Sequence, residues 1–146
     1  MKTNALFFTL ATALLLTACT SDEKKIEKAA YKYSYAMANY DVEGAEKYAT
    51  PETRATTLET ARQLIPMVDS NYIKSDTPAS IEIRHIWMVD DTSAVVTYHK
   101  TTPIKDFSAT VDVRKRDGRW LAHKPIPTID AEPPAEAADA VPSGDK

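Results

Sequence analysis

Two side chains capable of proton transfer, His85 and Tyr98, fall on the apolar faces of segments whose residues alternate like those of strands. The residues in phase with His85 are Ile81, Ile83, Trp87 and Val89. An imidazole or a phenol held in an apolar pocket can act as a general acid or base. The same pattern is more typical of core residues with hydrogen-bonded polar atoms, and we favour that interpretation.

Other signals of catalysis are missing from the sequence. The chain has no GxSxG, HExxH, CxxC or P-loop pattern, and only 3 glycines and 3 histidines. No carboxylate falls on an apolar strand phase, so an acid–base mechanism lacks its main component. We therefore expect no metal, no cofactor and no enzymatic activity. A small enzyme that uses His85 and Tyr98 is the alternative.

The net charge of −3 is unevenly distributed. Residues 130–146 carry five acids and one lysine, whereas residues 20–129 carry 16 acids and 16 bases. A neutral body argues against binding to nucleic acid through bulk charge. The tail is rich in Ala, Pro and acids, and it has too little apolar surface to fold, so we predict that it is disordered.

The single cysteine, Cys19, follows an apolar run of 12 residues that begins at Ala5. This run suits an export signal and is short for a membrane span. The segment Leu16-Thr17-Ala18-Cys19 resembles the lipobox of bacterial lipoproteins. The resemblance implies cleavage before Cys19 and lipidation of its thiol and its new amine. Several acyl chains would make the anchor stable.

The residues after the cysteine bear on localisation. Thr20 follows Cys19 directly, and the absence of an acid there resembles lipoproteins sorted to the outer membrane. The run Ser21-Asp22-Glu23 resembles an acidic signal that sends lipoproteins to the cell surface. We favour the alternative, in which this run is a solvated tether. We therefore expect residues 1–18 to be a signal peptide, residues 19–23 a lipidated tether and the protein an outer-membrane lipoprotein, facing either the periplasm or the surface.

Helical periodicity covers the first half of the mature chain. An apolar stripe predicts a helix over residues 22–40, Asp41 is expected to cap a short second helix, and Thr50-Pro51 to begin a third that ends near Leu64. This third helix is expected to bury Leu58, Ala61 and either Leu64 or Ile65. Residues 69–79 are predicted to be a polar connector.

A period of two then predicts four antiparallel strands. The first covers residues 81–89, the second 94–101, the third 107–114 and the fourth 119–124, with turns at Asp90-Asp91 and Asp117-Gly118. The order of elements indicates an α+β domain in which N-terminal helices pack on a curved antiparallel sheet.

The helical half resembles nuclear-transport-factor-2-like (NTF2-like, cystatin-like roll) domains, including those of small bacterial lipoproteins. The residues that carry the resemblance are Tyr33, Met37, Asn39-Tyr40-Asp41, Ala45, Tyr48 and Thr50-Pro51-Glu52-Thr53, with the Asp117-Gly118-Arg119-Trp120 turn. It covers residues 24–124, and we place the domain at 24–129. The resemblance implies a roll interior, in which the candidate pocket residues are Tyr33, His85, Trp87, Tyr98 and Trp120.

Two surfaces are candidates for contacts. The bases around the last turn are Arg114, Lys115, Arg116 and Arg119. One interpretation is that these bases contact an anionic surface. The interpretation we favour is that their charges keep the turn soluble and discourage pairing of the sheet edge with another chain. Ile86 and Met88, predicted to face outward, suggest a homodimer face. We expect a non-catalytic envelope lipoprotein that binds a small ligand or a protein partner, or else a structural subunit of an envelope complex.

Overall fold

The computed structural model describes residues 10–127, with side chains from residue 21 onwards. The predicted signal segment before residue 10 and the tail after residue 127 lie outside the described residues. The helices are α1 (Leu10–Ala38), α2 (Val42–Glu46), α3 (Pro51–Thr53), α4 (Glu59–Leu64) and α5 (Ser70–Asp76). A π-helical turn, Arg54–Leu58, joins α3 to α4, and a 3₁₀ turn, Ile65–Met67, follows α4.

Four strands form one antiparallel sheet in the order β1-β2-β3-β4. They are β1 (Ser80–Asp90), β2 (Ser93–Thr101), β3 (Asp106–Arg116) and β4 (Arg119–His123). The helices precede the strands and the strands form an antiparallel meander, as predicted. The outer edge of β4 is covered by residues 48–50, because Ala122 N–H donates to Tyr48 O (2.7 Å) and Thr50 N–H donates to Ala122 O (2.9 Å).

Helix α1 crosses the sheet and supplies most of the helical side of the core. Ile26, Ala30 and Tyr33 are buried at steps of three and four residues, as the stripe predicts. They pack against Val96, Val111 and Val113 of the central strands. No helix among residues 10–127 has the length and apolarity needed to cross a bilayer.

The end of α1 uses a tyrosine where glycine is common. Tyr40 has a φ of 62°, and the Asp41 N–H donates to Ala36 O (2.8 Å), which is the bond that closes a left-handed helix cap. Asn39 then pairs with the backbone of Ala79, accepting from its N–H (2.8 Å) and donating to its carbonyl (3.2 Å). The cap therefore joins the end of α1 to the start of β1.

The start of α3 follows the predicted signal. Thr50 precedes Pro51, and its Oγ1 accepts from the Thr53 N–H (3.4 Å) as an N-cap. Downstream, Leu58 is fully buried, Ala61 and Ile65 are half-buried, and Leu64 is exposed. Of the two residues left open by the sequence, Ile65 is thus the one that packs on the core.

One prediction about a connecting segment was wrong. Residues 70–76 form α5, whose N-cap is Asp69 accepting from the Asn71 N–H (2.8 Å), so the polar connector contains a helix. The predicted tether, residues 19–23, overlaps the helix predicted over residues 22–40, and the structure places all of residues 19–23 in α1. The core helix therefore extends back through position 19 without a flexible break.

Candidate functional site

A bulge in β1 reverses the face to which two of the predicted pocket residues, His85 and Trp87, point. Ile83 pairs with Tyr98, but the next pair is His85 with Thr97, so Arg84 is the extra residue. Arg84 and His85 are consecutive and both exposed. The alternation restarts out of phase, and residues beyond the bulge face opposite to the expectation from strict period two.

His85 and Trp87 consequently lie outside the core, and their predicted inward orientation was wrong. Trp87 is 65% exposed, and its indole meets the His85 ring edge-on with centroids 6.4 Å apart. Ile86 packs against the core instead. The apolar homodimer face predicted from Ile86 and Met88 is therefore not formed by that pair, because Ile86 is turned inward and Met88 alone is exposed.

The other three pocket candidates do lie in the core between helices and sheet. Tyr33 and Trp120 are buried, and Tyr98 is half-buried against the same cluster. Burial, with a smaller contribution from Tyr98, raises the pKa of Tyr33 to about 12, so its hydroxyl is neutral at physiological pH. Tyr33 belongs to the same buried cluster as Ile26, Val96 and Val113. His85 cannot share a pocket with Tyr98, since the two lie on opposite faces of the sheet.

The bases of the β3–β4 turn are largely paired within the domain. Lys115 Nζ lies 3.4 Å from the Asp22 carboxylate and 5.6 Å from the centroid of Trp120, and Arg116 lies 3.3 Å from Glu52. Arg119 donates to Lys47 O (3.4 Å). Lys115 and Arg116 are therefore neutralised in part by carboxylates of the same domain, which leaves less positive charge for an anionic surface than the sequence suggested.

Asp22 is the point at which α1 meets this turn. Its contact with the Trp120 indole is the largest influence lowering the pKa of Asp22, and Lys115 and Lys25 add to it against a smaller effect of burial. The Trp120 Nε1 is itself buried without a hydrogen-bond partner of good geometry. The indole therefore faces the Asp22 carboxylate without forming a hydrogen bond of good geometry.

A cleft of about 270 Å³ lies between α1 and the β3–β4 turn. We call it the basic cleft, and its lining residues are Lys25, Lys28, Ala29, Tyr48, Gly118, Arg119 and Trp120. Three of these residues are cations and none is a carboxylate. Among the residues that the structure describes, no carboxylate lies within 4.0 Å of Lys28 or Arg119. Such a lining favours an anion.

Helix and turn geometry position these groups. Lys25 and Lys28 are three residues apart, so both project from the same side of α1. Asp117 and Gly118 have φ values of 49° and 73°, as a tight turn between β3 and β4 requires, and this turn brings Arg119 to the cleft. Of the lining residues, sequence reasoning had singled out Arg119 and Trp120, and it missed Lys25, Lys28 and Tyr48 as members of a site.

A second cleft, of about 430 Å³, lies on the outer side of β3 and β4. Its lining residues are Thr110, Asp112, Arg114, His123, Lys124 and Pro125. Burial, and next the charge of Arg114, lower the pKa of His123, whose Nδ1 lies 3.0 Å from Thr50 Oγ1. His123 is thus a neutral partner of the α3 cap, which gives it a structural role.

Asp76 is the buried titratable group that the sequence did not reveal. It is 1% exposed, and its carboxylate accepts from Tyr40 (2.8 Å) and Thr102 (2.9 Å), with Lys105 Nζ at 3.8 Å. Burial opposes its ionisation, but these hydrogen bonds and the lysine charges outweigh burial and lower the pKa of Asp76. Lys105 also contacts the Tyr72 hydroxyl. Both carboxylate oxygens are occupied, so Asp76 joins α5 to the β2–β3 loop and is unsuited to act as a base.

The helices packed on a curved four-stranded antiparallel sheet define an NTF2-like fold. A chain of Shewanella oneidensis MR-1, described as an NTF2-like protein of unknown function, superposes with a TM-score of 0.50 and 16% identity, over 70% of this chain and 97% of that one. A “putative NTF2-like transpeptidase” of Campylobacter jejuni gives a TM-score of 0.49 and 14% identity, over 64% and 93%. No protein-family model and no curated protein matches the chain.

Proposed function

We propose that the protein is a membrane-anchored envelope lipoprotein whose NTF2-like domain is a non-catalytic binding module. The anchor is Cys19, at the end of the lipobox-like segment Leu16-Thr17-Ala18-Cys19. Thr20, in place of an acid directly after the cysteine, favours delivery to the outer membrane. Lipidation at this position would hold the domain at the bilayer surface.

The observation that carries the proposal is the continuity of α1. Cys19 lies inside this helix, and Ile26, the first buried core residue among those whose side chains the structure describes, follows seven positions later. At 1.5 Å of rise per residue, these seven positions span about 10 Å. An anchor on Cys19 would therefore keep the folded domain directly against the membrane.

A binding role is supported by where the chemistry-bearing side chains lie. His85 faces solvent, Tyr33 is buried in the core, and Asp76 has both oxygens occupied. These placements supply no acid–base pair around a common point, which general acid–base catalysis needs. The basic cleft offers convergent cations beside aromatic walls, and this favours a small anionic ligand over a protein partner.

The test of the anchor is incorporation of radiolabelled palmitate by cells that express the full chain. We expect the wild-type protein to be labelled and the Cys19→Ala variant to carry no label, because it lacks the acceptor thiol. Thr17→Ala is the matched control, since it alters the same segment at a position the lipobox tolerates, and it should be labelled like the wild type. A labelled Cys19→Ala protein would refute the anchor.

A further inference from the structure

We propose that the basic cleft binds the phosphate-bearing headgroup of an anionic lipid in the membrane to which the protein is anchored. This inference rests on the proposed function, because it uses the position of the lipid on Cys19. It goes further in assigning a ligand class and a site. The anchor would hold the protein at the bilayer, and the cleft would fix which face of the domain meets the headgroups.

The position of the cleft relative to the anchor is the first argument. Lys25 and Lys28 lie six and nine residues after Cys19 on the continuous helix α1, which corresponds to about 9 Å and about 14 Å of rise. The headgroup layer on each side of the hydrocarbon core is about 5–8 Å thick. A lysine side chain extends several ångströms beyond its backbone, so both ammonium groups can reach phosphates at the outer boundary of this layer.

The β3–β4 turn lies at the same end of the domain. Asp22, three residues after Cys19, is 3.4 Å from Lys115 of β3. This contact holds the end of β3 beside the first turns of the mature helix, and Gly118 and Arg119 follow directly in the turn. Arg119 thus approaches the membrane together with Lys25 and Lys28.

The distribution of charge favours a discrete cleft over a flat basic patch. The β1–β2 turn, with Asp90 and Asp91, adjoins this end of β3, as the bond from the Lys115 N–H to Thr92 O (2.7 Å) shows. Asp22 and Asp117 also lie at this end. These acids offset the bases over the whole end face. Asp22 also pairs with Lys25 of the basic cleft (3.7 Å). Attraction to an anion is therefore concentrated at Lys28 and Arg119, the lining cations that have no carboxylate within 4.0 Å among the described residues.

The size and the walls of the cleft indicate the kind of anion. Its volume of about 270 Å³ is slightly below the range of about 300–1,000 Å³ typical of pockets for drug-sized ligands. Ala29, Tyr48 and Trp120 add apolar surface beside the cations. A phosphate attached to a small organic group, as in phosphatidylglycerol, matches both features. A glycerol phosphate free in solution has the same chemistry, so the experiment must separate the two sources.

The test is lysine footprinting of the acylated protein, with Cys19 at its N-terminus, reconstituted in vesicles. Acetylation of Lys25 and Lys28 is compared in phosphatidylcholine vesicles, in vesicles that also contain phosphatidylglycerol, and in phosphatidylcholine vesicles with added glycerol phosphate. Lys74, on α5 at the opposite end of the domain, is the internal reference. We expect protection of Lys25 and Lys28 with phosphatidylglycerol only, and no change at Lys74.

Variants measure the contribution of each cation. One lysine or arginine near an anionic surface changes binding about fivefold, so Lys28→Gln and Arg119→Gln should each raise the phosphatidylglycerol fraction needed for half-protection of Lys25 about fivefold. Lys74→Gln, which removes the same charge at the far end, should leave that fraction unchanged. Unaltered half-protection in both cleft variants would overturn the assignment.

The remaining outcomes separate this inference from the proposed function. Equal protection by glycerol phosphate would overturn the lipid source and assign the cleft to soluble organic phosphates. Absence of protection in every arm would overturn the site altogether. Neither result bears on the anchor, because flotation of the protein with phosphatidylcholine vesicles and palmitate labelling test it independently.

Discussion

Replacing Asp76 by alanine is expected to lower the free energy of unfolding by about 3 kcal/mol. The carboxylate is 1% exposed and is the acceptor for the hydroxyls of Tyr40 and Thr102. Without it, two polar groups between α1, α5 and the β2–β3 loop lose their partner, and Lys105 loses its counter-charge. Urea denaturation followed by circular dichroism measures the change. Asp91→Ala is the matched control, because Asp91 is an exposed turn carboxylate, and should change stability by no more than about 0.5 kcal/mol.

The same carboxylate should also give a pH signature. Because the fold lowers the pKa of Asp76 below 3.8, its contribution is complete above that pH and is lost as the pH falls towards the folded-state pKa. Asp22, Glu52 and Asp90 also have lowered pKa values and contribute to acid unfolding. The difference between the wild type and Asp76→Asn isolates Asp76, and it should shrink as the pH falls below 3.8. A pH-independent difference would contradict this role.

A matched pair of substitutions in β1 should give the second large effect. Ile86→Ala is expected to cost about 2 kcal/mol, the lower end for deleting a large aliphatic side chain from a core, because Ile86 packs on the core and is only half-buried. Trp87→Ala should change stability by no more than about 0.5 kcal/mol, since its indole is 65% exposed. Both variants are measured by urea denaturation.

This pair distinguishes the bulged strand from the regular one that the sequence suggests. In a strand of strict alternation, Trp87 would lie in the core with Ile81 and Ile83, and its truncation would cost about 3–5 kcal/mol. Ile86 would then be an exposed residue whose replacement is nearly neutral. A larger loss for Trp87→Ala than for Ile86→Ala would therefore contradict the position of the bulge at Arg84.

The order of the elements could be predicted from the sequence because local signals agree with the fold. The apolar stripe of α1, Pro51 after the Thr50 cap and the Asp117-Gly118 turn each depend on neighbouring residues alone. The bulge at Arg84 could not be predicted, since the residues 81–89 satisfy period two without it. Apolar residues stand on both phases after position 85, so only packing against α1 decides which set is buried.

The polar contacts were beyond prediction for a different reason. Asp76 receives its bonds from Tyr40 and Thr102, which are 36 and 26 residues away in the chain. The basic cleft likewise combines α1, Tyr48 and the β3–β4 turn. Charge counting had found the bases of that turn, but it could not show that Lys115 and Arg116 are paired while Arg119 lines a cleft with two lysines of α1.

The most direct test of the anchored lipoprotein is the mass of the mature protein purified from membranes. We predict an N-terminus at Cys19 carrying a diacylglyceryl group on sulfur and an acyl chain on the amine. The N-terminal peptide that carries the acyl groups should also contain the part of α1 that follows Cys19, including Asp22 and Lys25. A protein recovered in the soluble fraction with an unmodified Cys19 would contradict the account.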